Sequence, residues 1–156
     1  MTNVRRVQEP DAHSASGPAP SRSAGKPAEL VVIAVAEDDD ELRWLLCDAF
    51  QQRGWRVIEL EDTSELDDYF EFVERHGAPP GLPDVVLSDL RMPGGSGLDA
   101  LARARANGVT CPFVVLTAFP EWEVESRILK LGNATMVSKP AKLADVAKVI
   151  EAVTKR

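Results

Sequence analysis

The chain has 156 residues, 44% of them apolar, enough for one domain with a substantial core and some excess. Its formal net charge of -7 argues against a role in coating nucleic acid, because phosphate binding needs a basic face. No stretch approaches the ~20 apolar residues of a membrane span, the N-terminus lacks the apolar run of a secretory signal, and the two cysteines, Cys47 and Cys111, lack metal-type spacing.

Those exclusions lead to the expectation of a soluble cytoplasmic protein with both thiols reduced among apolar residues. In chain order, residues 1–28 are Ser/Ala/Gly/Pro-rich ("SASGPAPSRSAGKPA") and are predicted to be a disordered tail, leaving 29–156 as the folded domain. "LVVIAVA" (30–36) then reads as a strand buried on both faces. Leu42, Leu45, Leu46, Ala49 and Phe50 form one apolar helical stripe, with Asp39 or Asp40 as cap and Gly54 as terminator. "WRVIEL" (55–60) is a weaker strand. Leu66, Tyr69, Phe70 and Val73 mark a second helix, capped by Thr63 or Ser64, and "HGAPPGLP" (76–83) is a connector. "DVVLSD" (84–89) carries a similar short apolar run and ends at Asp89. Met92-Pro93 and three glycines (Gly94, Gly95, Gly97) turn the chain into a third helix at Leu98, Leu101 and Ala102. "PFVVLT" (112–117) repeats the buried strand. Val124, Ile128 and Leu131, closed by Gly132, give the fourth helix, "TMVS" (135–138) a short strand, and Leu143, Val146, Ala147, Ile150 and Val153 the last helix. Strict strand–helix alternation predicts an α/β fold: a doubly wound parallel sheet with right-handed crossovers.

Ligands of such sheets bind outside the carboxyl ends of the strands. The first strand is followed by Glu37, Asp38, Asp39 and Asp40; the third ends in Asp89, the fourth in Thr117, and the fifth precedes Lys139-Pro140. Singly, each has an ordinary explanation: helix capping, a β-branched strand residue, a solvated lysine. Together they place several carboxylates on one rim, where they repel unless a cation lies among them. A hard divalent ion with oxygen ligands, Mg²⁺, suits that set.

These residues resemble the receiver domain of two-component response regulators over roughly 30–156. "SDLRMPGGSGL" is similar to that family's phosphoacceptor segment, "LTA" places Thr117 at its switch threonine, and "SKP" places Lys139 at its lysine. Glu37-Asp38 matches the acidic pair, with Arg43-Trp44 following; a shift to Asp38-Asp39 stays open. The resemblance implies the flavodoxin-like (βα)5 fold with five strands in the order 2-1-3-4-5. It also implies phosphorylation of Asp89 by a sensor histidine kinase or phosphotransfer protein. Mg²⁺ would be held by Asp38, Asp89 and the Arg91 carbonyl, with Glu37 acting through water. Lys139 would pair with Asp89, and Thr117 would hydrogen-bond the phosphoryl group. The domain is then not an enzyme in the ordinary sense, although it helps catalyse its own phosphorylation and dephosphorylation. Phe119 and Arg91, two residues beyond Thr117 and Asp89, are expected to shape the lifetime of the acyl phosphate.

Sixteen residues follow Pro140, enough for one helix, so output by protein association is expected of a stand-alone receiver. The surface is that of the fourth helix, fifth strand and fifth helix, including Lys142 and Trp122, which either faces a partner or packs on its own helix. Homodimerisation there is a further option. Glu in place of the first aspartate, Met136 in place of a switching aromatic, and Ala141 where phenylalanine is common are departures from the family. They keep open a pseudo-receiver that binds without being phosphorylated. A phosphohydrolase of the haloacid-dehalogenase type wants a second carboxylate where Arg91 stands, which argues against it.

Overall fold

Five apolar runs become the five strands of one parallel sheet. They are β1 (Val32–Ala36), β2 (Arg56–Leu60), β3 (Val85–Asp89), β6 (Phe113–Thr117) and β7 (Ala134–Ser138), in the order β2-β1-β3-β6-β7. Between them come α1 (Asp40–Gln52), α2 (Thr63–His76), α3 (Gly97–Ala106) and α4 (Trp122–Leu131), with α5 (Leu143–Thr154) last. This is the doubly wound order expected from the sequence. The structure, a computed structural model, describes residues 30–76 and 82–155; the proposed tail (1–28) and most of the 76–83 connector lie outside them.

The period-2 geometry of a strand sends alternate residues to opposite faces, and here each face is roofed by helices. Ile33, Val35, Val85, Leu87, Val114 and Leu116 pack with Leu46, Cys47 and Phe50 of α1 and Val146, Ala147 and Ile150 of α5. Ala34, Ala36, Val86, Phe113 and Val115 pack on the other side with residues of α2, α3 and α4, among them Leu66, Leu101 and Ile128. Full burial of the Val, Leu, Ile and Phe side chains among them contributes about 1.5–3 kcal/mol each. The weaker runs in the sequence are the two edge strands, where β2 and β7 keep exposed positions. Both cysteines are free thiols, and burial pushes Cys47 up to about 12 and Cys111 up to about 11.

Local detail departs from the sequence reading in places. Asp39, not Asp40, caps α1 by accepting the Leu42 N–H at 2.8 Å. At α2 neither Thr63 nor Ser64 caps. Asp62 accepts the Glu65 N–H at 2.9 Å, and Thr63 is itself buried. Between β3 and α3 lies an unforeseen antiparallel pair, β4 (Arg91–Met92) with β5 (Gly95–Ser96). Pro93-Gly94 makes the turn, with Gly94 at a φ of 83° that favours glycine. Ser96 then caps α3 through the Asp99 N–H. Gly97 closes this excursion. Its N–H donates to the Leu90 carbonyl at 2.8 Å, and a Cβ there would lie 2.2 Å from the Asp89 carbonyl oxygen.

At the opposite end of the sheet, Arg105 of α3 donates to the carbonyls of Val109, Cys111, Gly132 and Asn133 at 2.7–3.2 Å. Its guanidinium lies over the Phe113 ring.

Candidate functional site

The parallel register carries β1, β3, β6 and β7 to one rim. Asp89, the last residue of β3, stands opposite Leu116; Thr117 is the next residue of β6 and pairs with Ser138, after which comes Lys139. The Lys139 backbone N–H donates to the Thr117 carbonyl at 2.7 Å, fixing where its side chain starts. Its ammonium then donates to Asp89 Oδ2 at 2.8 Å and lies 3.5 Å from Glu37 Oε2. Glu37 and Asp38 follow β1 directly. One carboxylate oxygen from each of Glu37, Asp38 and Asp89 lies within 4.8 Å of the others.

Asp39 is not in this cluster. Its side chain is spent on the α1 cap, and its N–H donates to Glu37 Oε1 at 3.1 Å. The acids whose oxygens cluster with Asp89 are therefore Glu37 and Asp38. Arg43 holds this turn, a role not legible in the sequence. Its guanidinium, only 12% exposed, donates to the Glu37 carbonyl at 2.8 Å and to Asp40 at 2.6 Å.

The electrostatics follow from burial. Glu37 is 2% exposed, and its carboxyl is pushed from 4.5 up to about 7 by desolvation, with Asp89 and Asp38 adding repulsion. The Asp39 N–H and the Lys139 ammonium pull the other way without winning. For Lys139, burial disfavours the charged form, but the hydrogen bond and attraction from Asp89, with help from Glu37, outweigh it and raise its pKa. Glu37 Oε2 is buried and accepts no hydrogen bond. A buried oxygen without a hydrogen-bond partner is uncommon. Beside two further carboxylates, it is the kind of atom a hard cation would satisfy, so the donor set fits a divalent metal ion with oxygen ligands.

The β6 side of the rim is built differently. Thr117 is buried, and its Oγ1 accepts the Phe119 N–H at 2.9 Å. Arg91 donates its N–H to Asp89 Oδ1 at 3.3 Å, while its side chain extends over the rim. The guanidinium carbon lies 4.4 Å from the Phe119 ring centroid and Nη2 lies 3.7 Å from Glu121 Oε1. Contacts of this kind, between loops 28 to 30 positions apart, leave no local pattern in a sequence. Trp122, which follows, is 73% exposed, so it does not pack on its own helix. Lys142 is exposed as well, and Met136 and Ala141 are half-buried.

The arrangement as a whole is a carboxylate at a strand tip, a neutralising ammonium, an acidic cluster able to hold a cation, and a nearby hydroxyl. Comparison with known proteins agrees with it. The family model described as the response regulator receiver domain matches residues 33–151. The transcriptional regulatory protein PhoP of Escherichia coli O157:H7 is 33% identical over 124 residues, covering 80% of this chain and 52% of that protein. The chain therefore spans about half the length of the curated relatives it matches. Two solved structures share the fold. The Francisella response regulator 1452 receiver domain has a TM-score of 0.69 at 22% identity, covering 81% of this chain and 98% of that one. Chemotaxis protein CheY4 of Vibrio cholerae has a TM-score of 0.68 at 20% identity, covering 80% and 98%. No helix among the described residues is long and apolar enough to cross a membrane. From its matched length and its rim of acids and lysine, this chain belongs to the response regulator receiver domain family of two-component signalling.

Proposed function

We propose that this receiver is phosphorylated on Asp89, with a phosphohistidine on a sensor kinase or phosphotransfer protein as donor, in the cytoplasm. The observation that carries the reading is the 2.8 Å contact between the Lys139 ammonium and Asp89 beside the Glu37–Asp38 pair. It gives one carboxylate an adjacent fixed positive charge and a place for a cation. Asp38, Asp89 and the Arg91 backbone carbonyl would hold Mg²⁺, with Glu37 acting through water. When bound, Mg²⁺ supplies charge neutralisation for the phosphoryl oxygens.

In the transfer, an Asp89 carboxylate oxygen attacks phosphorus. A new O–P bond forms as the donor's P–N bond, or the P–O bond of a small phosphodonor, breaks, and the leaving group keeps the electron pair. Lys139 offsets charge on the new acyl phosphate as a point charge. Thr117 donates its hydroxyl to a phosphoryl oxygen. Output follows by protein association through the α4–β7–α5 face, where Trp122 and Lys142 are exposed. The partner there is a downstream protein or a second copy of the chain.

Intact mass after incubation with acetyl phosphate and Mg²⁺ tests the reading. The wild type should gain one phosphoryl group, and Asp89→Ala or an EDTA-treated sample should gain none. An unchanged wild-type mass would favour the pseudo-receiver instead.

A further inference from the structure

The phosphoryl-transfer step uses the backbone of Arg91 and not its side chain. That side chain stands at a junction. Its residue's N–H touches Asp89 Oδ1, while its guanidinium lies over Phe119 and beside Glu121. The Phe119 N–H donates to Thr117 Oγ1, and the Glu121 N–H donates to the Phe119 carbonyl at 2.9 Å. Glu121 is the residue at the start of α4, and its side chain caps no helix N–H. One side chain therefore joins the acceptor segment to the first turn of α4, directly ahead of the exposed Trp122.

We infer that Arg91 is a positioning residue that transmits occupancy of Asp89 to the first turn of α4. A phosphoryl group draws the guanidinium away from Phe119 and Glu121, and the turn is released. This rests on the phosphoacceptor reading of Asp89.

The physical argument is a competition. The Arg91 and Glu121 side chains are 62% and 57% exposed, so their ion pair is screened by water and salt and holds weakly. The stacked contact with Phe119, itself exposed, is of the same low order. A phosphoryl group brings a charge of roughly -1.5 to -2 and three acceptor oxygens to a position two residues from Arg91. Guanidinium binds phosphate through paired, charge-assisted hydrogen bonds, which are stronger than its contacts with a solvated carboxylate or a ring. The clasp is thus weak enough to be outcompeted, and its loss costs the start of α4 this tie to the acceptor segment. Occupancy of the site and freedom of the turn become two sides of one equilibrium, biased by the differential contacts of a single arginine.

Amide hydrogen exchange over residues 119–126, with acetyl phosphate and Mg²⁺ and with phosphoryl occupancy measured by intact mass in every sample, tests this. In the wild type, phosphorylation should speed exchange there by about two- to tenfold, the range set by losing a weak exposed clasp. Glu121→Gln breaks the clasp from outside the acceptor segment, so exchange should already be fast and phosphorylation should add little. Glu123→Gln removes another acid of the first turn of α4, one outside the clasp, and should keep the full response. That control separates the clasp from a general effect of charge at a helix N-terminus. Unchanged exchange in a phosphorylated wild type, or a Glu121→Gln response as large as that of Glu123→Gln, overturns the inference alone. A wild type that gains no phosphoryl mass overturns the phosphoacceptor reading and this inference with it.

Discussion

The two ends of α4 are held by different means. At its C-terminal end, the half-buried Arg105 guanidinium donates to the Gly132 and Asn133 carbonyls, and Asn133 Nδ2 donates to the Thr110 carbonyl at 2.7 Å. At its N-terminal end, an exposed arginine leans on an exposed phenylalanine and a solvated glutamate. Both clamps are arginines reaching across the fold, yet one satisfies carbonyls in a partly desolvated place and the other competes with water. Burial, more than the number of charges, decides which end can yield. The more weakly held end is the one whose arginine also touches Asp89 through its backbone N–H.

The strongest way to break this comparison is to remove the firm clamp. Arg105→Ala should cost about 2–4 kcal/mol of stability, because several carbonyls lose a charged donor at once. Urea unfolding measures it. A loss below about 1 kcal/mol would mean that the two ends are not held so differently.

A second variant sharpens the contrast by separating the electrostatics of the site from the helix. Glu37 has a folded pKa of about 7 against an ordinary 4.5, so between these values the folded chain holds more protons than the unfolded one. Its contribution is complete below about 4.5 and is lost as pH rises through about 7. In EDTA, wild-type melting temperature should therefore fall across this window relative to Glu37→Gln, by a few degrees. Calorimetry of both proteins at several pH values checks it; parallel curves would remove the buried carboxyl as the cause.

The smallest effect on stability belongs to the compliant end. Phe119→Ala and Arg91→Ala should each shift unfolding by no more than about 1 kcal/mol, as expected of exposed contacts. Both should change the dephosphorylation rate of Asp89 several-fold by altering access of water. Loss of phosphoryl mass with time after quenching the donor gives the rate, and unchanged rates would confine these residues to loop packing.

Much of the fold could be read because β1, β3 and β6 are buried on both faces and so appear as unbroken apolar runs. The edge strands β2 and β7 gave fainter signals for the converse reason: two of the five residues in each are exposed to water. The gathering of Glu37, Asp38, Asp89 and Lys139 on one rim was also legible, since a parallel sheet puts all its carboxyl ends on the same side. Whether Asp38 pairs with Glu37 or Asp39 was not, because a run of four acids offers several registers. In the fold, Asp39 is taken up by the Leu42 N–H and stands apart from the cluster. The β4–β5 pair hid within a Pro/Gly-rich stretch too short for periodicity. The tasks of Arg43, Arg91 and Arg105 hid because each depends on partners that folding brings near.

Gly97 has a consequence for how this domain can be altered. With no room for even a methyl group beside the Asp89 carbonyl, the position admits no graded substitution. Libraries that diversify the acceptor loop to retune signalling should leave it fixed, and drift there will register as lost function instead of altered timing.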